Sequence, residues 1–179
     1  PDFSGTDAAA FGEREPFVIS GPGEYEVQGV AVRGFGVESN YPEPVEASGG
    51  KSLPDGKADG TQTINTIYSV VLEGMNLCFL GALGTRALPQ EAKQELDDID
   101  VLFLPIGGDG VLEYSEAYKL AVQLEPKIII PMHYGGDHDQ TLKSFLKEAA
   151  AEGVKPIEKL TIKKKDLEGK ESEIVVLES

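Results

Sequence analysis

This chain is poor in the residues that usually carry chemistry. Its 179 residues include one cysteine and two histidines. A single cysteine excludes an internal disulfide. Cys78 also lies in the apolar run Leu77–Leu80, where a buried thiol behaves as a small hydrophobe rather than a nucleophile. That usage fits a reducing, cytoplasmic setting. Basic residues are scarce: 16 Lys and Arg stand against 31 Asp and Glu, a net charge of −15. Such a balance disfavours nucleic acid, whose phosphates it would repel. The basic cluster Lys163–Lys165 is followed at once by Asp166 and Glu168 and reads as a solvated strand end or hairpin. No apolar run reaches the ~18 residues that a bilayer requires, so no membrane partner is expected. A targeting leader is not legible, because the sequence opens on Pro1 rather than methionine. No serine occupies a Gly-x-Ser-x-Gly elbow, and Gly107–Gly110 lacks the spacing and the lysine of a phosphate loop.

What is present is a regular alternation of strand and turn signals, followed by strand and helix. The length suits one domain with a sizeable core, residues 1–179. Pro16–Ser20 predicts a short strand and Gly21–Glu24 a turn. Tyr25–Phe35 alternates with the period of half-buried strands. Residues 39–63 are polar and rich in proline and glycine, a long loop insertion within a hairpin near one sheet edge. Thr66–Leu72 and Leu77–Leu80 are strands joined by a turn at Glu73–Asn76. Pro89–Leu96 predicts a short helix. Asp100–Ile106 has the nearly continuous apolar character of a central parallel strand. Ser115 can cap a helix that runs to Leu124, and Gln140–Glu152 predicts another, ended by Gly153. Lys159–Lys164 and Glu173–Leu177 read as final strands. The order implies an α/β layered fold with a mixed sheet.

The candidate site centres on Lys127–Gly135. An apolar β-branched run stops at Pro131, and the next polar side chain is His133. The carboxyl end of a buried strand is where open α/β sheets place their chemistry. Tyr134 adjoins this position, either as a packed aromatic or as a hydrogen-bond donor to a substrate oxygen. His138 lies in a polar loop and reads as a surface residue, while Asp137 or Asp139 is placed to cap the following helix.

Five ordered segments carry a resemblance: Gly21–Glu26, Asn65–Tyr68, Leu80–Gly84, Asp100–Gly108 and Pro126–Tyr134. Together they resemble the metallo-β-lactamase superfamily, and within it the small Zn-dependent hydrolases related to ascorbate-6-phosphate lactonase. The resemblance implies a four-layer αββα sandwich, N-terminally incomplete here, with a metal site along one edge. It implies zinc as cofactor, a small ester, lactone or phosphoester as substrate, and His133 and Asp2 as metal ligands, Asp2 also serving in catalysis. Against the family pattern, Phe3 takes the place of a histidine, Glu38–Tyr41 lacks another, and Ala82 replaces the bridging aspartate. Phenylalanine and alanine carry no lone pair for a metal. Two outcomes are therefore expected: a metal-dependent hydrolase, or a catalytically degenerate member that serves as a binding or assembly module without metal, with a protein partner or a second copy as its ligand.

Overall fold

The computed structural model describes residues 17–39, 41, 63–135 and 139–178. Asp2, Phe3, Asp137 and His138 lie outside these residues, as does most of the long polar stretch.

Seven strands form one mixed sheet: β1 (Gly23–Val27), β2 (Val30–Ser39), β3 (Thr63–Leu72), β4 (Met75–Phe79), β5 (Val101–Pro105), β6 (Ile128–Met132) and β7 (Glu173–Ile174). Their spatial order is their chain order. β1 to β4 pair antiparallel, and β4 to β7 parallel. The change of mode has a simple cause. β1/β2 and β3/β4 are joined by two-residue turns, Gln28-Gly29 (φ 53°, 82°) and Glu73-Gly74 (φ 51°, 75°). Two consecutive positive φ angles match the twist of a tight antiparallel hairpin. After β4 each connection carries a helix or a long loop, as parallel pairing requires.

Three helices, α1 (Gln90–Glu95), α2 (Tyr114–Leu124) and α3 (Gln140–Glu148), cover one face. Ala92, Leu120, Ala121, Leu142 and Phe145 pack there in one buried cluster with Cys78, Leu102, Leu104 and Ile129 of the sheet. Alternate sheet residues, Met75, Val101, Ile128 and Ile130, form a second cluster on the other face with Leu167 and Val175. Period-two alternation thus places apolar side chains on both faces, which explains the continuous apolar runs of β5 and β6. The mixed α/β layering expected from the sequence is present; a second sheet is not among the described residues.

Several element boundaries differ from expectation. Phe17–Ser20 forms no strand. α2 starts at Tyr114 after Glu113, without a side-chain cap, so Ser115 lies inside its first turn. α3 stops at Glu148 because Ala150 turns left-handed (φ 51°) and the Ala151 N–H closes on Leu146 O at 2.8 Å, before Gly153 is reached. Lys159–Lys164 joins no ladder. Lys164 instead opens a 3-10 turn (Lys164–Leu167) and its ammonium reaches the Asp100 carboxylate at 2.6 Å. The last strand contracts to Glu173–Ile174.

Candidate functional site

The pairing directions define one edge. β2 runs antiparallel to β3, and β3 to β4, so β2, β4, β5 and β6 all point the same way. Their carboxyl ends, with the amino end of β3, converge on one side. Ser39, Leu80–Gly84, Gly107–Asp109 and His133 follow those ends directly. The polar stretch begins and returns here, since Ser39 and Thr63 are register partners.

His133 occupies the corner after β6 with φ 59°, a left-handed backbone that is uncommon for residues other than glycine. The β5 loop presses directly on it. A Cβ at Gly107 would stand 2.0 Å from His133 O and 2.6 Å from its Cδ2, so only glycine permits this approach. The Tyr41 ring meets the imidazole edge-on at 5.3 Å between centroids. Burial depresses the imidazole pKa, against a weaker opposing pull from the Asp109 carboxylate. The neutral ring that results is the form able to ligate a metal.

The loop after β4 is pinned by Asn65, a residue of the Asn65–Tyr68 segment to which the sequence assigns no role. Asn65, near the start of β3, donates through Nδ2 to Leu80 O (2.9 Å) and accepts at Oδ1 from the Ala82 N–H (2.8 Å). Between these bonds Gly81 turns left-handed (φ 59°), and a Cβ there would lie 2.4 Å from Asn65 Oδ1. Ser39 donates to Ala82 O at 3.4 Å and accepts from the Tyr41 N–H at 3.1 Å. Farther along, the Leu112 N–H donates to Leu83 O at 2.8 Å. The sequence signal for Asn65 is a polar amide set into a β-branched strand, but its partners lie 15 and 17 residues away.

Other candidates have structural duties. Tyr134 donates its hydroxyl to Leu177 O (3.2 Å), which identifies it as a packed aromatic with a satisfied polar end. Asp139 caps α3, accepting from the Thr141 N–H at 2.5 Å. Cys78 is buried, and burial pushes its thiol up to about 12.

Of the metal ligands that the resemblance implies, the described residues include His133 alone. Among them no three His, Cys, Asp or Glu side chains gather as a metal-binding group. Zinc takes about four ligands, three of them from protein in a catalytic site. The described edge alone therefore does not fit a complete centre, and Asp2 lies outside it. Also among the described residues, no helix is long and apolar enough to cross a membrane.

Residues 6–133 match the model of the β-lactamase superfamily domain, a match that ends on His133. A metal-dependent hydrolase of Nanoarchaeum equitans is 52% identical over 40 residues, covering 22% of this chain and 19% of the relative. A metal-dependent hydrolase of Listeria innocua is 38% identical over 63 residues, covering 35% of this chain and 27% of the relative. The matched stretches thus span less than a third of these relatives, 19% and 27% of their lengths. Among solved structures, a candidate Zn-dependent hydrolase of the metallo-β-lactamase superfamily from Thermotoga maritima superimposes with a TM-score of 0.61 at 28% identity, over 90% of this chain and 71% of its own.

Proposed function

The chain belongs to the β-lactamase superfamily and is a hydrolase-like protein of the metallo-β-lactamase fold; from that premise we propose that it hydrolyses an ester, lactone or phosphoester at the carboxyl edge of its sheet. In this reading zinc is the metal, held by His133 and Asp2 with further donors outside the described residues. The observation that carries the reading is the placement of His133: a largely neutral imidazole at the carboxyl end of a central strand, locked by the contact with Gly107. Zinc, when bound, supplies a Lewis acid and lowers the pKa of its water to about 7. The chain's own part is to hold the imidazole neutral and fixed, and to shape the Leu80–Gly84 wall beside it. The ligand is a small molecule in a cytoplasmic setting, and the charge of −15 argues against nucleic acid.

The test is turnover of a panel of aryl esters, lactones and phosphodiesters by the wild-type chain, the chelator-treated chain and His133→Ala. Turnover that both treatments abolish supports the reading. Turnover unchanged by either one overturns it.

Ala82 favours a second reading. With a methyl group in place of the bridging carboxylate, the chain would be a catalytically degenerate binding or assembly module. Its partner would be a protein or a second copy, reached through the 39–63 loop insertion. Absence of turnover together with a stable complex in solution would favour this reading over the first.

A further inference from the structure

We propose that the corner of the sheet where β2, β3 and β4 meet the end of α1 is a binding site for a small primary ammonium that carries a short apolar chain. The corner does not rest on the hydrolase reading. It lies at the amino ends of β2 and β4, which begin at Val30 and Met75, whereas His133 follows the carboxyl end of β6.

Strand register and a short helix together leave a cavity there. Ala31, Val71 and Asn76 form one row across the three strands, and Arg33, Ser69 and Cys78 form another on the same face. Cys78 belongs to the buried cluster beneath the helices, so both rows face α1. That helix has only six residues and ends at Glu95. Val71 is left 44% exposed, a large apolar side chain without full cover. Between the two rows and Glu95, Leu96 and Asp97 lies a cavity of about 250 Å³. Cys78 is buried at its floor, while the ion-paired Arg33 and Glu95 side chains are half-exposed at its mouth. The volume is below the about 300–1,000 Å³ of drug-sized sites, so it suits a ligand of a few heavy atoms.

The charges of the lining call for a cation. Arg33 is the basic residue of the lining, and it already pairs with two carboxylates, Glu95 and, at 3.6 Å, Glu24. Asp97 accepts the Asp98 N–H at 3.0 Å, and no cation pairs with it among the described residues. The nearby Lys127 and Lys164 turn to Asp98 and Asp100 instead. An anion would meet this carboxylate excess and a net charge of −15. A metal ion does not suit the lining, because no three His, Cys, Asp or Glu side chains gather as a metal-binding group among the described residues. A quaternary ammonium is held by aromatic faces, and no aromatic residue lines this cavity among the described residues. A primary ammonium brings three donors to the acceptors that are present, the Glu95 and Asp97 carboxylates and the Ser69 hydroxyl. Its chain would lie against Ala31, Val71 and Leu96 and take the exposed part of Val71 out of water.

The experiment is a heteronuclear NMR titration of the full chain with n-butylammonium at constant ionic strength, beside n-butanol, butyrate and tetramethylammonium. The inference expects saturable shifts of the Ala31, Arg33, Ser69, Val71 and Asp97 amides with butylammonium, weaker ones with butanol, and none with butyrate or tetramethylammonium. Asp97→Asn keeps the size and removes the charge, and it should weaken butylammonium binding about threefold, as for a partly exposed ion pair. Ala31→Leu fills the cavity and should abolish binding. Should Ala31→Leu fail to fold, the exposed Asp97→Asn decides alone. No saturable shift at these residues overturns the inference. So does an equal response to butanol or to tetramethylammonium, the latter being no more than attraction of a counterion to an acidic protein. Butylammonium binding unchanged by Asp97→Asn also overturns it. None of these outcomes bears on turnover at the His133 edge, so the two proposals stand or fall separately.

Discussion

The two edges of the parallel half of the sheet treat polar groups in opposite ways. At the amino edge, Asp100 precedes β5 and is fully buried, yet three donors reach its carboxylate: Lys127 Nζ (2.7 Å), Lys164 Nζ (2.6 Å) and the Asn76 N–H (2.8 Å). Burial pushes this carboxyl up, but the hydrogen bonds from the two lysines and Asn76 prevail and its pKa falls below the ordinary value. Lys127 also pairs with Asp98 at 3.0 Å. Charges there neutralise one another and join three strand starts to the 3-10 turn. At the carboxyl edge the amide of Asn65 and the hydroxyl of Ser39 hold backbone, and the His133 imidazole packs against the Tyr41 ring. One edge is built for stability. The other keeps a titratable ring in a fixed, low-charge setting, which is the usual division of labour in α/β sheets.

Variants sharpen this contrast. Asp100→Ala leaves two ammonium groups without their shared partner and should have the largest effect. Because the lysine side chains remain 27% and 44% exposed, we expect a loss of about 3 kcal/mol, at the low end for a buried pair, measured by chemical denaturation. Gly107→Ala should cost about 1–3 kcal/mol, because its Cβ must displace the His133 carbonyl. That displacement should also move the His133 ring resonances in an NMR spectrum. Asn65→Ala should cost about 1–2 kcal/mol from two lost hydrogen bonds, with increased hydrogen exchange confined to residues 80–84. An equal cost at the two edges, or spectral changes at His133 from Asp100→Ala, would break the comparison.

Acid should separate the edges as well. The folded His133 has a depressed pKa, so the unfolded chain binds its proton first; stability then falls modestly as pH drops below the ordinary value near 6.5. Asp100 acts in the same sense but in a more acidic window. Its folded pKa is depressed relative to 3.8, so its contribution is complete above that pH and is lost as pH falls through the folded value. Stability measured against pH should show a shallow step that His133→Ala removes, then a deeper acid step that Asp100→Asn removes.

Much of this organisation is legible in the sequence, because local periodicity and turn chemistry determine it. The apolar runs of β5 and β6, the Glu73-Gly74 turn, the Asp139 cap and the position of His133 past a strand all follow from neighbours in the chain. What escapes is pairing across distance. Lys163–Lys165 reads as a solvated run, yet Lys164 closes on Asp100, 64 residues away. The same bond draws Lys159–Lys164 out of any ladder. Asn65 is visible as a polar amide in a β-branched strand, but its partners in the loop after β4, 15 and 17 residues away, are not. At the site, the replacement at Ala82 is visible in the sequence, whereas the bonds of Asn65 and Ser39 to the backbone around it are visible only in three dimensions.

The central claim is that the imidazole at the end of β6 is the metal donor of a hydrolase-type edge. Elemental analysis of purified wild-type chain beside His133→Ala, with matched thermal unfolding to confirm folding, tests it most directly. The account predicts about one equivalent of zinc in wild type and a negligible amount in the folded variant. Zinc retained in full by His133→Ala, or none in wild type after loading, would contradict it.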